Sequence, residues 1–150
     1  MRLYRELSFI RDKFSYFYCL TYILMPRIFA EEMFNDSSES VIVYVDKHTP
    51  FIDCESVVKR NAKMKVKVYI GNKFVHPNTV EHYFSYIQLW NLEKLIAEIR
   101  LQVGTFGDNP MKPEVDFFIV PKLSMRLTVH AYCTKHGLWK SSEVYVKVID

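Results

Sequence analysis

The heptapeptide MKVKVYI, Met64 to Ile70, places Met64, Val66, Val68 and Ile70 on one side and Lys65, Lys67 and Tyr69 on the other. Only an extended strand sorts alternate residues onto opposite faces; a helix would spread them around its circumference. The apolar side demands a second layer to cover it, while the lysines stay in water. β-rich runs recur along the chain: VIVYV (41–45), HYFSYIQLW (82–90), IRLQVG (99–104), VDFFIV (115–120), MRLTVHAY (125–132) and EVYVKVI (143–149). Turn signals separate them at Gly71-Asn72, His76-Pro77-Asn78, Gly107 to Pro110 and His136-Gly137. NLEKLIAEI (91–99) would pass as a helix on propensity, but we read it as a turn leading into a strand. About seven short strands spaced this way describe an all-β fold, an immunoglobulin-like antiparallel β-sandwich.

The sandwich is assigned to residues 41–150, and residues 1–40 to an N-terminal helical extension and linker. Arg2, Arg5, Arg11 and Lys13 precede the apolar run Phe14 to Pro26, where a helix would break. That run falls short of the roughly 18 residues a membrane span needs, so membrane association is not expected. A basic start, a short apolar centre and IFA (28–30) also resemble a secretory signal, although the run is aromatic rather than leucine-rich. A start of translation at Met33 is the other alternative. The polar cluster NDSSES (35–40) reads as the linker.

Charge and cysteines exclude several classes. A net charge of +3 without a basic stripe does not support nucleic-acid binding. Cys19, Cys54 and Cys133 are odd in number and unrelated in spacing, so reduced thiols in the cytoplasm are the expectation. No C-x-x-C pair is present, which removes thioredoxin-like chemistry and metal sites built from cysteines alone.

Four of the five histidines fall in loops or at strand starts. His48 lies in DKHTP, His76 in VHPNT and His82 in EHY, while Cys133 and His136 share the turn YCTKHG. His130, inside RLTVHAY, is read as structural. A C-x-x-H pair offers two metal ligands from one tight turn. Structural zinc takes such ligands but is nearly always four-coordinate. Blue copper needs two histidines, one cysteine and a weak axial methionine, fewer imidazoles than stand here. A non-catalytic interaction module on the same sandwich would bind no metal.

The order Lys47-His48-x-Pro50, then His76-Pro77-Asn78-x-x-Glu81-His82, then Tyr132-Cys133-x-x-His136-Gly137-x-Trp139 resembles the superoxide reductases in their one-iron form, the neelaredoxins. The resemblance runs from about Asp46 to the C-terminus. It implies an immunoglobulin-like sandwich holding one mononuclear iron, Fe2+/Fe3+, on His48, His76, His82 and His136, with Cys133 axial and a sixth position open to superoxide. It further implies one-electron reduction of superoxide to hydrogen peroxide, a rubredoxin-like electron donor and a homotetramer. Lys47 would guide the anion. Where the family carries glutamate before that lysine, this chain has Asp46, one methylene shorter, so its reach to the iron is in question. Thr134-Lys135 stands where asparagine and an apolar residue are usual, and Val75 replaces a proline.

Overall fold

A computed structural model describes residues 28–105, 107 and 109–150. The helical expectation for residues 1–27 lies outside these. Ten strands and one helix follow in order: β1 (Ile28–Phe29), α1 (Glu39–Asp46), β2 (Pro50–Cys54), β3 (Val57–Lys59), β4 (Met64–Ile70), β5 (Phe84–Asn91), β6 (Lys94–Arg100), β7 (Glu114–Ile119), β8 (Met125–Cys133), β9 (Gly137–Lys140) and β10 (Val144–Ile149). A single 3-10 turn, Glu31–Met33, lies between β1 and α1.

Two sheets form the expected sandwich. β4 is the centre of the smaller one, antiparallel to β2 and to β7. The larger is built around β8, which pairs with β5 on one side and with β9 and β10 on the other. β6 extends it beyond β5. Two short parallel pairings, β1 on β9 and β3 on β10, depart from an all-antiparallel plan. The alternation of β4 does what its sequence requires: Met64, Val66, Val68 and Ile70 are buried against Ile87, Leu89, Leu127, Val129, Ala131 and Val146 of the facing sheet. NLEKLIAEI is indeed a turn into a strand, with Leu92 at φ 52° in the tight connection.

Three expectations need correction. VIVYV is not a strand but the body of α1, even though β-branched residues cost a helix a few tenths of a kcal/mol each. Val41, Tyr44, Val45 and His48 recur at helical spacing, and this face turns inward while Ile42 stays exposed. Glu39 in the first turn favours the helix dipole, and the amides of Val41 and Ile42 bond to the Ser38 carbonyl. The strand expected over 99–104 ends at Arg100; Leu101 is still buried, but the chain then turns away. In residues 28–33, the described end of the expected helical extension, the backbone is β1 and one 3-10 turn rather than α-helix. The short strands β2, β3 and β9 carry too few alternating residues to register in the sequence.

No helix among the described residues is long and apolar enough to cross a membrane. Among the described residues, Cys54 and Cys133 are free thiols.

Candidate metal centre

The end of β8 and three connections meet at one point of the sandwich. His48 follows the last turn of α1, where its backbone N–H bonds to the Val45 carbonyl at 3.1 Å. His76 sits in an isolated bridge with Met111, its amide and carbonyl both paired. His82 closes a small turn against Thr79. Cys133 is the last residue of β8, and the β8–β9 turn returns His136 beside it. Gly137, at φ +83°, allows that tight return.

The donor atoms of His48, His76, His82 and Cys133 all lie within 4.8 Å of one another. His136 completes the group, its Nδ1 standing 2.8 Å from His48 Nε2 and 3.6 Å from Cys133 Sγ. The sulfur is 3.5 Å from His76 Nε2. Metal bonds of about 2.0–2.3 Å put adjacent ligand atoms about 3 Å apart and opposite ones somewhat over 4 Å, so this spacing fits a single ion.

Hydrogen bonding turns the rings to suit. Nδ1 of His48 meets the Tyr44 carbonyl and Nδ1 of His76 the Pro77 carbonyl, which leaves each Nε2 facing the cluster. Nε2 of His82 is buried and has no hydrogen-bond partner among the described residues. An orphaned buried nitrogen is costly unless something accepts its lone pair, and a metal ion does so.

Electrostatics agree. Burial, the largest cause in each case, lowers His48 and His76 to about 3 and His82 to about 4. His136 is lowered too, by burial and then by Lys135 and Lys47. The four imidazoles are thus neutral at neutral pH, the form in which imidazole can bind a first-row metal. Burial pushes the Cys133 thiol up, opposed by hydrogen bonds from the Lys135 and His136 amides and by the Lys47 and Lys135 charges.

Of the charged residues singled out in the sequence, Lys47 caps the C-terminus of α1 and its charge is felt by all five donors. Lys135 is exposed, yet its charge reaches His82, Cys133 and His136. The Asp46 carboxylate points elsewhere, accepting bonds from the amides of Asn72 (3.3 Å), Lys73 (2.9 Å) and Phe74 (2.8 Å). Such charge-assisted bonds contribute about 1.5–3 kcal/mol apiece where they are shielded from water.

The sequence reading missed two supports. Thr134 takes the Tyr83 amide on its hydroxyl oxygen at 3.1 Å and donates its own amide to the Tyr83 carbonyl at 2.9 Å. Its hydroxyl also donates to the Glu81 carbonyl, so His82 is bracketed between two anchored residues. An aromatic wall closes the other side. Trp139 lies nearly parallel to His48 at 4.9 Å and stacks on Phe34 at 5.6 Å, with Phe29 and Tyr44 packed around it. The i, i+4 pair Tyr44 and His48 was the available signal for that wall, visible only once α1 is read as a helix.

Fold and site together define a β-sandwich carrying a cluster of four histidines and one cysteine that could hold a metal ion. The desulfoferrodoxin family profile matches residues 40–142, well over half the chain. This chain belongs to the desulfoferrodoxin family. The superoxide reductase of Pyrococcus abyssi is 34% identical over 101 residues, covering 64% of this chain and 84% of the relative. The neelaredoxin of Megalodesulfovibrio gigas is 30% identical over 112 residues, covering 65% and 85%. Among solved structures, a variant of the superoxide reductase (neelaredoxin) from Ignicoccus hospitalis aligns over 81% of this chain and 94% of its own, with 25% identity and a TM-score of 0.64. The superoxide reductase from Nanoarchaeum equitans aligns over 67% and 94%, with 28% identity and a TM-score of 0.54.

Proposed function

We propose that this chain is a superoxide reductase, and that His48, His76, His82, His136 and Cys133 hold its mononuclear iron. The observation that carries the reading is the convergence of four neutral imidazoles and one thiol on a point that has room for one ion. Five donors exceed the four of structural zinc. These five side chains would hold the iron, which when bound would supply the one electron that, with two protons, converts superoxide to hydrogen peroxide.

The chain's own residues do the rest. His48 and His76 are fully buried and form the floor, while His82 and His136 keep part of their surface in solvent. The open side of the site is therefore theirs. The Trp139 wall keeps water off the rear of His48. Lys47 and Lys135 create a positive potential where a small anion enters, and such focusing raises association rates by about ten- to a thousandfold. A net charge of +3 suits an acidic rubredoxin-like donor, which closes the cycle with one electron. The thiol suits a reducing cytoplasm. A homotetrameric assembly belongs to the same proposal.

The test is to load the protein with iron, reduce it and mix it with a pulse of superoxide. One hydrogen peroxide per superoxide consumed is expected, where dismutation gives half. Binding of zinc alone, with no visible band in any state, would transfer the site to a structural role. Lys47→Ala should slow the superoxide encounter about tenfold at low salt and flatten its ionic-strength dependence. Stopped-flow rates that match the parent at every salt concentration would remove Lys47 from the encounter.

A further inference from the structure

Asp46 precedes Lys47 in the first ligand motif, but its carboxylate lies in a nest of three successive amides, those of Asn72, Lys73 and Phe74. Consecutive backbone N–H groups in such a turn form an anion-binding concavity, and here the anion comes from within the chain. The loop so held leads directly to His76. It is pressed onto the backbone of residues 46–47: a Cβ on Gly71 (φ +78°) would stand 3.4 Å from the Lys47 Cα and 2.5 Å from the Phe74 carbonyl oxygen. The Gly71 amide donates to the Thr49 carbonyl at 3.0 Å, and Lys112 Nζ donates to the Asn72 carbonyl.

Asp46 is also the last residue of α1. The amides of Lys47, His48 and Thr49 bond back to the Val43, Val45 and Asp46 carbonyls. Carrying the carboxylate to the metal would break its three amide bonds and unwind the helix end that sets His48. We infer that Asp46 is a positioning residue, the brace that ties the His76 loop to the His48 helix, and not a ligand of the oxidised metal. The open position then takes its ligand from solution rather than from a side chain. This second consequence rests on the iron reading above; the brace itself does not.

Three measurements on the full chain separate them. In metal-free protein, Asp46→Ala should raise hydrogen exchange at the Lys73 and Phe74 amides by at least about tenfold, with partial protection regained in Asp46→Asn, which keeps one acceptor oxygen. Cobalt(II) affinity, measured against a chelator, should fall about tenfold in Asp46→Ala, the scale on which outer partners tune a metal site, and recover in part in Asp46→Asn. In oxidised iron-loaded protein, azide affinity should change by less than about threefold, since no internal carboxylate competes for the open position. Unchanged amide exchange or unchanged cobalt affinity would overturn the brace. Azide binding tightened about tenfold or more in Asp46→Ala would show that the carboxylate had occupied the position. If the alanine variant does not fold, the asparagine variant carries all three comparisons, with smaller exchange and cobalt changes. Failure to take up iron would sink the functional reading and leave the exchange and cobalt results to decide the brace.

Discussion

Cys133→Ser should abolish the visible band of the oxidised iron-loaded protein and lower superoxide reduction by at least about a hundredfold. On the proposed assignment the band would arise from the Cys133 thiolate on ferric iron, and a serine hydroxyl does not ionise at neutral pH to replace it. The hundredfold figure is a floor: outer partners of metal ligands already cost about 10- to 100-fold, and on the proposed assignment this substitution would remove a ligand itself. Spectrum and rate should fail together. The metal-free fold should survive, because the exchange conserves shape at a fully buried position among Phe84, Ala131 and the β8–β9 turn. Its thermal midpoint should move by only a few degrees, as for a change of about 1 kcal/mol.

The thiol also couples metal binding to pH. Burial pushes the Cys133 thiol up and keeps it protonated at neutral pH in metal-free protein, so an ion bound there would have to displace a proton. Two donated amide bonds, from Lys135 and His136, and the nearby lysine charges make that displacement easier. The serine variant releases no such proton, which proton counting during metal titration will register. A variant that kept both band and rate would remove Cys133 from the metal.

How far the sequence disclosed this site depended on which forces were local. The strand alternation of β4 and the hairpin after Trp90 follow from side-chain period and turn chemistry, and both are legible without tertiary context. The five donors were legible because His48, His76 and His82, and the pair Cys133 and His136, sit in short motifs with fixed internal spacing. What was not legible depended on contacts made across the chain. VIVYV has strand composition, yet the burial of Val45 and the packing of Tyr44 on Trp139 select a helix. Its position in the motif left open whether the Asp46 carboxylate reaches the metal site, because its amide partners lie 26 to 28 residues further along. Thr134 likewise acts on a segment 51 residues away. The two residues of β1 are extended alongside β9, a pairing that no local pattern announces.

The metal-free protein should lose stability steeply as pH falls below about 6.5. His48 and His76 are held near 3 by burial, whereas the same imidazoles in the unfolded chain titrate near 6.5. A lowered folded-state value means that the unfolded chain binds more protons throughout that window. Stability is therefore complete above about 6.5 and declines until the folded rings themselves protonate near 3. Each ring contributes about 1.4 kcal/mol per pH unit, so the two together remove roughly 4 kcal/mol by pH 5. Domains of this size have only about 5–15 kcal/mol to lose. His82 and His136 act in the same direction, less strongly because part of each meets solvent. Cys133 bounds the other side: with its thiol pushed up, stability falls again as pH rises through the unfolded thiol value. Urea midpoints of metal-free protein should thus peak between about pH 6.5 and 8.5. Replacing His48 by Gln should shallow the acid limb by about one proton's slope. Bound metal stabilises the folded state and keeps the rings unprotonated, so the acid limb of loaded protein should begin at lower pH. A metal-free protein with a flat profile between pH 7 and 5 would mean that these imidazoles are not buried as neutral rings. The pre-formed cluster would then be a product of metal binding rather than of the fold.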